Sequence, residues 1–115
     1  MIKRFETNAR LSRVIIHNGT VYVAGTSPDT ASASAGDQAR EVLNKIDRYL
    51  KMAGSDKSKL LSAVLYVKDL ANLDQVNGAW ENWLPPGHAP TRTCVEATPA
   101  LSQFAVTIAV VAATD

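Results

Sequence analysis

Cysteine is nearly missing from this chain: Cys94 is the only one in 115 residues, which excludes an internal disulfide and a multi-cysteine metal site and fits a reducing compartment. Long hydrophobic runs are missing too. The segment Met1-Ile2-Lys3-Arg4-Phe5-Glu6-Thr7 carries no extended apolar region, and no apolar stretch elsewhere reaches the length needed to cross a bilayer. The expectation is a soluble, cytoplasmic protein with no membrane partner. There is no excess of either charge: Lys+Arg number 12 and Asp+Glu 11, a formal net charge of +1. That balance leaves no broad field to hold a polyanion, so nucleic acid is not expected as a partner. Histidine is scarce as well. His17 precedes a turn and His88 lies in a proline loop, and neither has a companion at metal-ligand or nucleophile spacing, so both read as ordinary polar residues and no metal is expected. Repeats, linkers and low-complexity tails are absent, and 46% hydrophobic content in 115 residues supports a single domain, 1–115, with a real core.

What is present is a clear succession of elements. Arg13-Val14-Ile15-Ile16-His17 and Thr20-Val21-Tyr22-Val23-Ala24 are β-rich runs separated by Asn18-Gly19, the dipeptide that supplies positive φ to a two-residue hairpin. Small polar residues from Thr30 to Gly36 predict a loop. Ala39, Val42, Leu43, Ile46, Leu50 and Ala53 then recur at helical spacing until Gly54. Leu60 to Val67 predicts a third strand, and Leu73, Val76, Trp80 and Trp83 line one side of a second helix that ends at Pro85-Pro86. Trp80 and Trp83 read as core residues of that helix rather than a stacking platform. Gly25-Thr26-Ser27-Pro28 lacks the full glycine-rich phosphate signature and reads as a loop leaving a strand. Thr91 to Ala97 and Phe104 to Ala113 complete the set as strands.

This order segregates the helices from the strands, giving an α+β architecture in which a mixed sheet carries two helices on one face, in two layers. Phe104-Ala105-Val106-Thr107-Ile108-Ala109-Val110-Val111-Ala112-Ala113 is apolar on both of its alternating faces, whereas a sheet with one wet face alternates with polar residues. The second sheet face is therefore expected to be covered by other copies of the chain.

Arg92 stands out within Pro90-Thr91-Arg92-Thr93-Cys94-Val95-Glu96-Ala97. Alternation along a strand puts Arg92, Cys94 and Glu96 on one face and Thr91, Thr93, Val95 and Ala97 on the other. A guanidinium stays charged at any working pH and offers a planar fork of donors that matches a carboxylate. The breaker-rich loop Leu84-Pro85-Pro86-Gly87-His88-Ala89-Pro90 delivers the chain to this point, where binding residues tend to collect. Two readings stay open for Arg92: an anion clamp, or an ion pair with Glu96 or another acid. Cys94 likewise reads either as a nucleophile activated by its cationic neighbour or as a thiol lining a cleft. No histidine is placed to accept and return its proton, which favours the lining role.

The Pro-x-Arg-x-Cys-Val-Glu run, with Val23-Ala24-Gly25-Thr26-Ser27-Pro28, Val67-Lys68-Asp69-Leu70 and Val76-Asn77, resembles the RidA/YjgF family of enamine/imine deaminases. The resemblance extends from about Val14 to Ala113. It implies a chorismate-mutase-like fold assembled as a homotrimer, with the sheets packed in a barrel-like core and a ligand cleft at each subunit interface. It places Arg92 as the arginine that takes the substrate carboxylate, Cys94 as the cleft cysteine whose backbone helps hold ligand or water, and Gly25 and Asn77 at matching binding positions. Thr107 stands where many deaminating members have a glutamate that positions the attacking water, and Leu11 stands near a common cleft tyrosine. The sequence thus looks like a divergent subgroup that retains the carboxylate-binding arginine. A threonine hydroxyl can still hydrogen-bond a water.

The implied reaction is hydrolysis of a 2-imino acid of the 2-iminobutanoate or 2-iminopropanoate type, or its enamine tautomer, to a 2-oxo acid and ammonia, with Arg92, Cys94 and Thr107 as the catalytic set. It requires no cofactor, and metabolically it implies removal of reactive intermediates released by pyridoxal-phosphate enzymes or amino-acid oxidases. The alternative is a non-catalytic protein that binds or senses a 2-oxo acid or related metabolite, a reading that Thr107 favours. Ribonuclease or translation-inhibitor roles have been proposed for members of this family; near-neutral charge and the lack of an acid–base histidine pair count against them here.

Overall fold

The computed structural model describes residues 1–31 and 33–114; Ser32, inside the expected Thr30–Gly36 loop, and Asp115, the end of the expected domain, lie outside the described residues. Its first strand, β1 (Lys3–Thr7), is not among the elements expected from the sequence. Lys3, Arg4 and Glu6 are exposed and only Phe5 is drawn onto the core, so the segment shows almost no hydrophobic alternation. It pairs antiparallel with β2 (Ser12–His17) at the edge of the sheet. There its charges discourage pairing with a foreign strand.

Asn18 and Gly19 take φ values of 52° and 75°, the left-handed pair a two-residue hairpin needs, and they join β2 to β3 (Thr20–Thr26) with His17 facing Thr20. After β3 comes α1 (Ala35–Met52), which starts earlier than the expected loop allows: Ala35 and Gly36 are already helical and buried. Ser34 explains the start, because its side chain accepts a hydrogen bond from the Asp37 backbone and satisfies an otherwise orphaned N–H. Hydrogen bonds from Arg40, and after it from Ser34, hold the Asp37 carboxyl below the usual carboxylate range, which adds an anion at the positive end of the helix. Val42, Leu43, Ile46 and Leu50 are fully or almost fully buried. Each contributes roughly 1.5–3 kcal/mol by leaving water. Gly54, with φ of 78°, lets the chain turn away beyond the helix end.

Next come β4 (Leu60–Val67), α2 (Leu73–Trp83), β5 (Thr91–Glu96) and β6 (Val106–Ala113). The sheet order is β1-β2-β3-β6-β4-β5, so the last strand inserts between β3 and β4 and pairs antiparallel with both. It follows that β3 and β4 run parallel, and β4 pairs directly in parallel with β5. Each parallel connection carries one helix, and both helices lie on the same side of the sheet. The expected strand from Phe104 begins two residues later, at Val106; Phe104 is buried but sits in the preceding turn.

Alternation along β6 divides the two faces. Val106, Ile108, Val110 and Ala112 are buried under the helices, while Thr107, Ala109, Val111 and Ala113 stand half-buried on the other side. That open face also carries Tyr22, 48% exposed, and Val95, 38% exposed, so its apolar character extends across several strands. No helix among the described residues is long and apolar enough to cross a membrane.

Candidate functional site

The chemistry-bearing residues form two groups at separate places in one chain. The first gathers where β3 ends. Its backbone register shifts against β6 between Val23 and Thr26, and Gly25 sits in that irregular stretch. A Cβ on Gly25 would lie 3.2 Å from the Thr107 methyl, so glycine is what lets the strand end approach β6 this closely. Beyond Thr26 the chain leaves the sheet, as expected of a loop, and the Ser27 hydroxyl hydrogen-bonds the Thr107 hydroxyl at 3.0 Å. Leu11, Arg13, Lys45, Tyr49 and Phe104 help enclose a cavity of about 470 Å³ around Gly25, Ser27 and Thr107.

Among the polar groups lining this cavity that escaped the sequence reading, three make hydrogen bonds at the end of β3. Arg13 donates through Nη1 to the Gly25 carbonyl at 3.2 Å, and Lys45 donates through Nζ to the Ser27 carbonyl at 2.7 Å and to the Asp29 carboxylate at 3.0 Å. Ser27 is the third. For Arg13 a signal did exist: continuing the register that the Asn18-Gly19 turn imposes puts it opposite Ala24, one residue before Gly25. Lys45 reaches the cavity from α1, a placement no local pattern reveals.

The second group lies on β5, the edge strand at the far side of the sheet. Arg92 pairs with buried Ala63 of β4 and Cys94 with buried Leu65, so both point to the helix side. Cys94 is half-buried against the core and unbridged. The Arg92 guanidinium carbon sits 5.8 Å from the centre of the Trp80 ring, a cation–π contact that steadies an exposed side chain without consuming its donors. Of the two readings left open, the intrachain ion pair is not the one observed. Among the described residues no carboxylate lies within 4.0 Å of Arg92, and Glu96 instead accepts a long hydrogen bond from the Leu70 backbone. Asn77 lies one turn before Trp80 on α2, and its buried Oδ1 has no hydrogen-bond partner among the described residues.

The cavity around Gly25 and Thr107 is not lined by Arg92, Cys94 or Asn77 of the same chain. Thr107 is cross-paired with Tyr66, and Tyr66 with Val95, which puts two strand spacings, about 9.5 Å, between β6 and β5. Arg92 lies three residues further along and points to the opposite face. His17 and His88 are likewise apart: His17 ends β2 and His88 precedes β5, four strands away or roughly 19 Å across the sheet. The His88 ring makes a local contact with the Pro86 carbonyl.

A mixed six-stranded sheet with both helices on one side and a cavity where β3 ends defines the class as a small two-layer α+β protein. Residues 1–114 match the family described as Endoribonuclease L-PSP, and the chain belongs to that family, whose members are also called YjgF and RutC proteins. It is 39% identical over 113 residues to a RutC family protein of Haemophilus ducreyi, covering 98% of this chain and 97% of that one. It is 38% identical over 112 residues to the RutC family protein YoaB of Escherichia coli K12, covering 97% of each. A solved YjgF-family structure from Neisseria meningitidis superimposes with a TM-score of 0.96 at 36% identity, over 100% of this chain and 96% of that one. The expected architecture and the family resemblance are both met.

Proposed function

We propose that this protein hydrolyses reactive 2-imino acids and their enamine tautomers to 2-oxo acids and ammonia, in clefts formed between subunits of a homotrimer. The observation that carries the reading is Arg92: an exposed guanidinium braced on Trp80, with no carboxylate beside it among the described residues of its own chain. Its fork of donors is open to the substrate carboxylate. The separation of the two residue groups supports an intersubunit cleft, because a small imino acid reaches Arg92 and Thr107 together only if a second subunit brings its β5 edge against the first subunit's Gly25–Thr107 cavity. The apolar open face of the sheet supplies surface for that assembly.

In this cleft Arg92 of the partner subunit holds the carboxylate and thereby fixes the imine carbon. The paired hydroxyls of Thr107 and Ser27 hold a water. Water adds to the C=N carbon, one of its protons passes to nitrogen, and the resulting amino alcohol collapses with C–N cleavage, releasing ammonia and leaving the 2-oxo acid. Positioning alone supplies much of the acceleration, since the substrate is already electrophilic. Asn77 and the backbone at Cys94 complete the carboxylate side, and no covalent step is needed. Cys94→Ser is accordingly expected to retain most of the activity; loss of turnover in a folded variant would instead assign the thiol a nucleophilic role.

A second reading, binding of a 2-oxo acid without turnover, is favoured by one observation. Among the described residues the one carboxylate lining the cavity, that of Asp29, is held by Lys45, so none of them supplies a free acid in place of the family's glutamate beside Thr107. A ribonuclease mechanism fits less well, since His17 and His88 lie four strands apart within the chain and a net charge of +1 offers no broad field to hold a polyanion. The deciding experiment generates imines from a panel of amino acids with an amino-acid oxidase and follows their trapping by semicarbazide. Faster imine loss in the presence of the protein is the expected result, and unchanged trapping across the panel would leave the binding reading in place.

A further inference from the structure

We infer that Arg13 is a specificity residue that selects ligands with a second carboxylate at the far end of the side chain, so that the preferred substrates are dicarboxylic 2-imino acids. The inference rests on the cleft proposed above, of which Arg13 lines the Gly25–Thr107 half. Among the described residues three charged side chains, Arg13, Asp29 and Lys45, line that cavity. Lys45 and Asp29 neutralise one another at 3.0 Å, which leaves the charge of Arg13 uncompensated, with no carboxylate within 4.0 Å among the described residues. Its single hydrogen bond, from Nη1 to the Gly25 carbonyl, uses one of five N–H donors and ties the guanidinium to the strand end that approaches Thr107.

A half-buried arginine with spare donors on a cavity wall is a poor neighbour for an alkyl side chain and a good one for an anion. In the assembled cleft the ligand then lies between two guanidiniums, Arg92 of the partner subunit and Arg13, with Thr107 between them. A monocarboxylic imino acid satisfies one of these cations. A dicarboxylic one satisfies both, and its two carboxylates fix the imine carbon against rotation. Leu11, on the same wall, offers no hydrogen bond that competes for the distal group.

The test compares two stable 2-oxo acids of equal chain length that differ by the terminal carboxylate, 2-oxoglutarate and 2-oxopentanoate, titrated calorimetrically into the whole protein. The dicarboxylate is expected to bind roughly ten- to a hundredfold more tightly, the range of one charge-assisted pair. Arg13→Gln should bring that ratio to within about twofold, with the assembly's mass unchanged by light scattering. A ratio near one in the unmutated protein, a ratio that survives Arg13→Gln, or failure to bind either acid overturns the inference. A variant whose mass falls would make Arg13 an interface residue and overturn it equally. The imine assay separates this outcome from that of the proposed activity. A dicarboxylate preference without imine hydrolysis sinks the deaminase reading alone, and hydrolysis with a preference for alkyl side chains sinks the Arg13 assignment alone.

Discussion

Arg92→Ala is expected to abolish imino-acid hydrolysis while the protein stays folded and assembled. The side chain is exposed on an edge strand and rests on the face of Trp80, itself held in place by the core and by Trp83. Removing it therefore leaves no cavity and no unpaired buried charge, the two usual routes to a large loss of stability. On the proposed mechanism the substitution removes a bidentate, charge-assisted contact to the substrate carboxylate, worth on the order of 3 kcal/mol or more, or roughly a hundredfold in kcat/KM. Lysine at the same position should rescue poorly, because a point charge does not reproduce two parallel hydrogen bonds. Thr107→Glu restores the residue found in many deaminating relatives and should hold or raise the rate. If Arg92→Ala hydrolyses imino acids as fast as the unmutated protein, the carboxylate clamp is wrong.

Much of the fold was legible because its signals are local. The Asn18-Gly19 turn fixes a hairpin by its own φ requirement, and the period of Val42, Leu43, Ile46 and Leu50 fixes a helix face. Where a signal was distributed or masked, the reading slipped. Thr30 to Gly36 offers several small polar residues, and nothing in their order says that Ser34 is the cap from which helix geometry starts. The first strand hides because an edge strand is held by backbone pairing and carries charges by design, so Lys3, Arg4 and Glu6 look like a solvated segment. The site was half legible for the same reason. Alternation correctly put Arg92, Cys94 and Glu96 on one face, yet it says nothing about where Glu96 turns, and the backbone of Leu70 takes it. That Thr107 stands two strands from β5 follows from the insertion of β6 between β3 and β4, a long-range pairing with no local trace.

Val111→Asp is expected to dissociate the assembly and, with it, the activity. Val111 sits on β6 in the middle of the sheet, cross-paired with Tyr22 on one side and Ser62 on the other, and it faces away from the helices. Within a single chain that face is half open, so an aspartate there remains solvated and the fold tolerates it. In a trimer whose sheets pack face to face the same carboxylate is buried among apolar neighbours such as Tyr22 and Ala109. An unpaired buried charge costs several kcal/mol per ion, and three copies would carry that cost in one assembly. Light scattering should then read the single-chain mass of 12.3 kDa in place of about three times that value. Circular dichroism should stay close to that of the unmutated protein, because the buried face under α1 and α2 is untouched. Imine hydrolysis should vanish although Arg92, Cys94, Asn77, Gly25 and Thr107 are all intact, since on the proposed arrangement the two residue groups meet only across a subunit boundary. A single-chain Val111→Asp variant that still hydrolyses imines would place the whole site within one chain, and a mass unchanged by the substitution would put the interface elsewhere.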